Sequence, residues 1–378
     1  MQAHERFYGI SDDFRSPYAR DRDRIIHSGS FRKLEYKTQV FLNQEGDFFR
    51  TRLTHSIEVS QIARSISSQL GLEESLAEAI ALAHDLGHTP FGHVGGDELD
   101  NRLKKAGYNN GFEHNFQSFR VVTALEKRYK GFNGLNLSFA TLEGILKHSY
   151  PYKKSFLPIE IDKMFTLDTH PSIEAMVVDR ADEIAYMSHD IDDGIHSGLI
   201  SFETLKESEL VQEVLAKVYE EGIHEDEDEM FRYRFSSHFI NHLVYSLLEF
   251  SKQAVTVCMA DVSSKEKVEH PKVLSACIPS SQPIAIGFEP SLETKIKKLK
   301  KILFKELYQH KEIVRKMYAG KKAVQGLFEA LMEEPKMLPK YYALQLDTRS
   351  KHRVIADYIA SMSDRYAMSL YNEVFGLN

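Results

Sequence analysis

The pattern of apolar and polar residues follows a helical period through most of this chain. Apolar residues recur three or four positions apart, which places them on one face of a helix. Strand-like alternation is rare, so the sequence predicts an all-α fold. The predicted helices begin at Thr54 and then cover roughly residues 75–88, 112–130, 138–149, 171–195, 232–258, 295–307 and 351–374.

Two stretches depart from this helical period. Residues 150–162 are predicted to form a loop that carries Lys153 and Lys154. Residues 260–291 are rich in Ser, Pro and Lys, a composition typical of a mobile loop.

The most unusual stretch, residues 81–93, contains three histidines and one aspartate. His84 and Asp85 lie in an apolar run, so they are predicted to sit on a buried helix, where such a pair needs a partner. A divalent metal ion is the obvious one. His88 falls on the same face, and a turn of Gly and Pro presents His93 from a loop. The alternative is a helix end with a core histidine and a capping aspartate.

A further histidine adds to this set. His55 lies four residues before Val59 and opens the apolar stripe of the helix that begins at Thr54, so it is predicted to point inward. A lone histidine there would more often be a core residue, but the His-Asp pair needs ligands, which favours a metal role. Arg52, three residues earlier, can reach the same pocket.

The helix over residues 171–195 offers several competing carboxylates. At about 100° per residue, Asp182 lies at the edge of the buried arc, whereas Asp179 and Glu183 fall on the far side. Asp182, Tyr186 and Asp190 step by four and flank the core. Asp182 is therefore the predicted ligand. The alternative is an amphipathic helix with an acidic exposed face.

Composition narrows the class of protein. The chain has 378 residues and a net charge of −7, which gives no general attraction to nucleic acid or to anionic membranes. Its two cysteines, Cys258 and Cys277, exclude a disulfide framework and a cysteine-based zinc site. Neither a signal peptide nor a membrane-spanning segment is evident. We therefore expect a cytoplasmic protein that holds anionic substrates with a metal or a local basic pocket.

Two imidazoles and two carboxylates, from His55, His84, Asp85 and Asp182, suit a divalent ion such as manganese, magnesium, iron, cobalt or nickel. Such a set leaves positions for water and a substrate oxygen. His88 and His93 lie beside it and can transfer protons. His114 is a further active-site candidate. Lys147 is a candidate phosphate contact, although a lysine at a helix end is also favoured by the helix dipole.

The order of His55, the His84-Asp85 pair and Asp182 resembles the HD-domain phosphohydrolases. Several segments are similar to the deoxyguanosinetriphosphate triphosphohydrolase family. They are residues 31–41, 50–56, 83–93, 111–115, 143–148, 181–190 and 357–366. The resemblance implies an HD-domain helical core over residues 51–200. An N-terminal arm over 1–50 would contribute to the substrate pocket, and additional C-terminal helices over 201–378 would pack on the core.

The resemblance also implies a reaction, the hydrolysis of a deoxynucleoside triphosphate (dNTP) to a deoxynucleoside and tripolyphosphate. His93 matches the catalytic histidine and Arg52 the phosphate-binding arginine. Tyr186 and Asp190 match residues that pack on the sugar, and Gln39 matches a contact to the 3′-hydroxyl. A homo-oligomer and a nucleotide or single-stranded DNA effector are expected partners.

One position departs from the family pattern. The family usually has an acidic residue three positions after the catalytic histidine, and this chain has Gly96, followed by Asp97. Either Asp97 takes over or proton transfer through His93 is weaker. Two other functions therefore stay open: hydrolysis of another nucleotide phosphate ester, and a nucleotide- or single-strand-binding regulator with weak catalysis.

Overall fold

The computed structural model describes residues 3–9, 14–39, 49–149, 164–165, 170–225, 228–265 and 286–376. Over these ranges the chain forms sixteen α-helices and no β-strand. Isolated bridges such as Thr38 with Thr51 join loops without building a sheet. The prediction of an all-α fold is confirmed. None of the helices in these ranges combines the length and apolar character needed to cross a membrane.

The first half of the chain contains eight helices. They are α1 (Pro17–Ile26), α2 (Gly29–Lys33), α3 (Arg52–Leu70), α4 (Glu74–Ala83), α5 (His93–Lys105), α6 (His114–Arg120), α7 (Phe139–Leu146) and α8 (Ile173–His196). The second half contains α9 (Phe202–Leu205), α10 (Glu209–Glu220), α11 (Asp228–Lys265), α12 (Pro290–Leu303), α13 (Lys311–Glu333), α14 (Lys340–Ala343), α15 (Lys351–Ala360) and α16 (Asp364–Phe375).

The main hydrophobic core lies where α3, α4 and α8 pack on one another. Ile66, Ile80 and Val177 contribute one side chain from each of these helices, and all three are fully buried. Burying an aliphatic side chain of this size stabilises the fold by roughly 1.5–3 kcal/mol. Because α3, α4 and α8 carry the candidate metal ligands, this core fixes the distances between them.

A second core joins α5 to the C-terminal helices. Leu99 of α5, Leu327 of α13 and Ile355 of α15 are fully buried in it. The division into arm, core and C-terminal region stays a prediction, but this packing shows that the C-terminal helices contact the helix that begins at His93.

The start of α3 is set by local sequence. Thr51 has extended backbone and its hydroxyl accepts from the Thr54 amide, while the Thr54 side chain accepts from the Thr51 amide. This reciprocal cap satisfies two amides that the helix leaves free. It places Arg52 and His55 in the first turn of α3, where both are buried.

The helix carrying the His-Asp pair is shorter than its predicted span of 75–88. It ends at Ala83, and His84 is the C-cap. A Cβ atom at Gly87 would lie 2.1 Å from the Ser118 amide, so only glycine lets this turn pack against α6. Phe91 and Gly92 then have φ of 62° and 61° and reverse the chain before α5.

Other predicted bounds also differ. Residues 112–130 contain only α6 and a following π-helical turn, Val121–Leu125. Residues 351–374 form two helices, because the Ser363 hydroxyl accepts from the Tyr366 amide and starts α16 separately. The predicted loop over 150–162 lies outside the described residues. The predicted loop over 260–291 was too long: residues 260–265 end α11, residues 290–291 begin α12, and 266–285 lie outside the described ranges.

Glu174 in α8 should make stability depend on pH. Its side chain is fully buried, and burial raises its pKa from 4.5 to about 7. Between these values the unfolded chain has released the proton and the folded chain has not, so stability falls as pH rises. Glu174→Gln removes this titration. Between pH 4.5 and 7, the free energy of unfolding of this variant should rise relative to that of the unmodified protein, by at most about 3 kcal/mol.

Thermal unfolding followed by circular dichroism at several pH values measures this difference. Glu333→Gln, at the exposed end of α13, is the matched control and should show no such trend. A Glu174→Gln difference that stays constant between pH 4.5 and 7 would contradict the assignment.

Candidate metal centre

Three predicted ligands meet between α3, α4 and α8. One ligand atom each from His55, His84 and Asp182 lie within 4.8 Å of one another. His55 Nε2 is 2.9 Å and His84 Nε2 is 3.8 Å from Asp182 Oδ1. His55 comes from the first turn of α3, His84 from the end of α4 and Asp182 from the middle of α8.

The histidine donors fit a divalent cation. His84 Nδ1 lies 2.6 Å from the Ala81 carbonyl, so Nδ1–H donates and Nε2 keeps its lone pair. Nε2 is buried and makes no hydrogen bond among the described residues. Burial also lowers the pKa of His84, which keeps the ring neutral. A neutral imidazole whose lone pair faces two carboxylates has the chemistry that a divalent cation needs from a ligand.

The carboxylates fit equally well. Burial alone would raise the pKa of Asp182, but the neighbouring imidazoles of His148 and His55 hold that pKa well below its usual range. For Asp85, the charge of Arg52 and the hydrogen bond with His88 outweigh burial and hold the pKa well below its usual range. Both side chains are therefore ionised at neutral pH, as a metal site requires.

Asp85 lies beside the three-residue cluster rather than inside it. Its Oδ1 is 3.4 Å from His84 Nε2 and 3.1 Å from His88 Nε2. Its Oδ2 is 2.7 Å from Arg52 Nη1 and 4.0 Å from His55 Nε2. Asp85 thus connects the cluster to Arg52 and His88, and its role as a fourth ligand stays a prediction.

Sequence analysis missed His148 as a neighbour of the cluster. It lies just after α7, is 4% exposed, and its Nε2 is 3.5 Å from Asp182 Oδ2. Its Nδ1 is 2.5 Å from Asp179 Oδ1, so Asp179 reaches this site although helix phasing placed it on the far side. The feature of the sequence that could have pointed to His148 was its position next to Lys147, in a segment that matched the family pattern.

Three further histidines form a group next to Asp85. The ring centroids of His88 and His114 are 4.2 Å apart, and that of His93 is 5.3 Å from His88. Loss of hydration, together with the nearby Arg52, lowers the pKa of His93 to about 4, and burial lowers the pKa of His88 well below its usual value, so both rings are neutral at pH 7. His114 Nδ1 is 3.0 Å from Glu113 Oε1. Sequence analysis did not single out Glu113 as a partner for this group.

Gln39 and His93 line a cavity of about 530 Å³ together with Asp97. The Gln39 Oε1 atom is buried and makes no hydrogen bond among the described residues, so this residue keeps an acceptor that no described group uses. Phe304 and Tyr318 supply aromatic rings to the same cavity.

Tyr186 lines a separate cavity of about 350 Å³, which also contains Asp182 and the cations Arg180 and Lys300. Asp190 is 2% exposed and accepts a hydrogen bond from the Tyr308 hydroxyl. Burial raises the pKa of Asp190 to about 7. Tyr308 also lines the cavity of Gln39, so Asp190 supports its wall.

Two predicted residues have surroundings that the sequence did not indicate. Lys147 is fully buried, with Nζ 2.7 Å from Glu143 Oε1. Asp97 is exposed one turn after His93. Partial burial and the nearby carboxylate of Asp100 raise its pKa. Their predicted roles in substrate binding and catalysis stay predictions.

Comparison with known proteins identifies the family. The HD domain model matches residues 52–187, and a phosphohydrolase-associated domain matches residues 286–373. A deoxyguanosinetriphosphate triphosphohydrolase-like protein of Wolinella succinogenes is 62% identical over 375 residues, covering 99% of both chains. The chain belongs to this HD-domain family. A protein of the same description from Geobacter metallireducens is 45% identical, and the match covers 96% of this chain and 89% of the relative. Another from Bordetella pertussis is 44% identical, and the match covers 96% of this chain and 90% of the relative.

Membership of the family confirms the resemblance seen in the residue motifs. The protein is a metal-dependent phosphohydrolase, and the cluster of His55, His84 and Asp182 is suited to its divalent ion. Each of these three residues comes from a different helix of the HD-domain segment.

Asp182→Ala should abolish tight metal binding, because it removes the carboxylate that faces both His55 and His84. Asp179→Ala should have a much smaller effect, since Asp179 reaches the cluster only through His148. Metal content after dialysis against a weak chelator, measured by mass spectrometry, compares the two variants. Loss of metal from the Asp179 variant with retention in the Asp182 variant would show that the ligand is misassigned.

Proposed function

We propose that this enzyme hydrolyses dNTPs to a deoxynucleoside and tripolyphosphate. The observation that carries the proposal is the proximity of a divalent-metal cluster, a buried arginine and neutral histidines to a cavity with a free amide oxygen. The relatives described as deoxyguanosinetriphosphate triphosphohydrolase-like support the same reaction class. Residues 51–200 would provide the metal-binding catalytic core, residues 1–50 an arm that contributes to the substrate pocket, and residues 201–378 helices that pack on the core.

A divalent ion at such a site lowers the pKa of a water molecule and polarises a phosphoryl oxygen. Arg52 is 3% exposed, and its Nη1 donates a hydrogen bond to Asp85. Its Nε makes no hydrogen bond among the described residues, so the guanidinium keeps a donor for a phosphate oxygen. We assign Arg52 to charge neutralisation on the triphosphate.

The reaction needs one proton to leave the attacking water and one to reach the leaving oxygen. Attack at the α-phosphorus breaks its bond to the 5′-oxygen, which leaves as the 5′-hydroxyl of the deoxynucleoside. His93 is a neutral base that lines the cavity of Gln39 and stands next to His88. We assign the proton transfer to His93, with His88, His114 and Glu113 keeping its surroundings polar.

Recognition of the sugar is proposed to come from the cavity walls. The free Gln39 Oε1 accepts from a hydroxyl group such as the 3′-hydroxyl. Phe304, Tyr308 and Tyr318 offer apolar ring faces to a sugar or a base. Tyr186, in the neighbouring cavity, and Asp190 match family residues that pack on the sugar, where a close tyrosine would exclude a 2′-hydroxyl.

The product distinguishes this proposal from hydrolysis of another phosphate ester. Each of the four dNTPs is incubated with Mn²⁺-loaded protein, and products are separated by ion-exchange chromatography. Intact tripolyphosphate with an equal amount of deoxynucleoside supports the proposal. Release of pyrophosphate or orthophosphate instead would contradict it, and dNTP binding without turnover would favour the regulatory alternative.

His93→Ala should lower turnover by about 10²–10⁴-fold, the usual contribution of general acid–base catalysis. Metal content and dNTP affinity should change little, because His93 holds neither the cluster nor Arg52. Single-turnover release of tripolyphosphate and calorimetric dNTP binding measure the two effects. Asp97→Ala should give a smaller loss in the same direction if Asp97 assists His93.

His27→Ala, at the exposed C-cap of α1, is the control for this series. Turnover by the His93 variant equal to that of the unmodified protein would refute the assignment of His93.

We further propose that the protein forms a homo-oligomer. The long helix α11 exposes Tyr233 and Tyr245 at 48% and 72%, which gives apolar surface that a second copy would cover. Multi-angle light scattering at micromolar concentration should show more than one chain, with or without nucleotide or single-stranded DNA as effector. A monomer under all these conditions would contradict the proposal.

A further inference from the structure

A chain of side-chain contacts leads outward from the metal cluster through His55. Its Nδ1 lies 3.2 Å from Nδ1 of His189 on α8, whose side chain is 1% exposed. The opposite nitrogen of His189, Nε2, contacts the carboxylate of Glu58, which follows His55 by one turn on α3. The site described above uses neither His189 nor Glu58.

If His55 binds a metal ion, the positions of the protons on His55 and His189 follow from that bond. His55 presents Nε2 to the cluster, because Nε2 is the atom 2.9 Å from Asp182 Oδ1. A neutral imidazole with its lone pair on Nε2 carries its proton on Nδ1, so His55 donates to His189 Nδ1. His189 then carries its proton on Nε2 and donates it to Glu58, which as a carboxylate only accepts.

The other arrangements of protons are unfavourable. With a proton on His189 Nδ1, two N–H groups would face each other across 3.2 Å in a buried site. His55 would avoid this only by moving its own proton to Nε2, which removes the lone pair that a metal needs. The carboxylate of Glu58 thus selects the tautomer of His189, and His189 selects that of His55.

The outer end of the chain is itself held in place. Arg50 Nε is 3.5 Å from Glu58 Oε1, and its Nη1 lies 2.5 Å from Asp192 and 2.8 Å from Asp193 on α8. Burial alone would raise the pKa of Glu58, but His189 and Arg50 outweigh it and hold that pKa at about 2. The acceptor for His189 is therefore an ionised carboxylate that faces Arg50.

We propose that His189 and Glu58 are positioning residues that fix the tautomer and orientation of His55 for a divalent cation. The proposal concerns metal affinity and holds whichever phosphate ester the enzyme hydrolyses. Outer partners of a ligating histidine typically change metal affinity by about 10–100-fold when removed.

His189→Phe keeps a ring at this position but offers no acceptor to His55 Nδ1. We expect the dissociation constant for Mn²⁺, measured on metal-free protein by competition with a chelator, to rise by about 10–100-fold. His189→Asn places an oxygen near the position of Nδ1 and should recover most of the affinity. Glu58→Gln keeps an acceptor oxygen without the charge, so its dissociation constant for Mn²⁺ should lie between those of the two His189 variants.

His196→Phe is the matched control, because it makes the same exchange on the same helix at a ring that packs edge-on against Phe49. Thermal unfolding is recorded for every variant. A His189→Phe protein that melts like the unmodified chain and binds Mn²⁺ equally tightly would overturn the proposal. So would a His189→Asn protein that folds but binds no better than His189→Phe.

A second measurement needs no variant. The unmodified chain is labelled with ¹⁵N-histidine and saturated with Mg²⁺, and long-range nitrogen–proton correlations show which ring nitrogen carries each proton. We expect the proton on Nδ1 of His55 and on Nε2 of His189. A proton on Nδ1 of His189 would overturn the proposal even if the His189→Phe variant fails to fold.

Discussion

The burial of several charged and polar groups at one junction is the constraint on which this structure depends. Asp85, His55 and His84 are each less than 5% exposed where α3, α4 and α8 meet. Carboxylates removed from water need cations or donors to offset their lost hydration. Asp85 has Arg52 and its neighbouring imidazoles, and a divalent ion would neutralise the charge at His55, His84 and Asp182.

Nearly every group around this junction has a partner that fixes its orientation. The Ala81 carbonyl holds one nitrogen of His84, and Asp179 faces one nitrogen of His148. His189 likewise faces Nδ1 of His55. The result is a site whose donor atoms point inward because their outer atoms are engaged, and this organisation lowers the cost of ordering ligands on metal binding.

The C-terminal helices take part in shaping the site although they supply no ligand to the cluster. Asp364, the first residue of α16, accepts from the Thr38 amide at 3.0 Å and from the Phe91 amide at 2.9 Å. It thus holds the residue before Gln39 and the turn before His93. A Cβ atom at Gly320 of α13 would lie 2.4 Å from the Phe91 ring, so glycine there makes room for this turn. The match of residues 286–373 to a phosphohydrolase-associated domain is consistent with that contact.

The sequence alone determined the helical class and the family and singled out the three residues that meet in the cluster, because these depend on periodicity and on short motifs. A buried His-Asp pair and an inward-facing His55 follow from local spacing along single helices. Local spacing did not determine where α4 ends, since that bound depends on the close approach of Gly87 to α6. It also misplaced Asp179, whose position next to His148 depends on the packing of α8 against the end of α7.

Only the tertiary structure showed which side chains from distant segments meet. Glu58 and His189 are 131 positions apart, and Phe91 and Asp364 are 273 apart, so no periodicity along the chain could pair them. The same holds for the burial of Lys147 and for the free oxygen of Gln39. Hydrogen-bond partners, burial and pKa are properties of the assembled surroundings of a residue, whereas residue type and spacing are written in the chain itself.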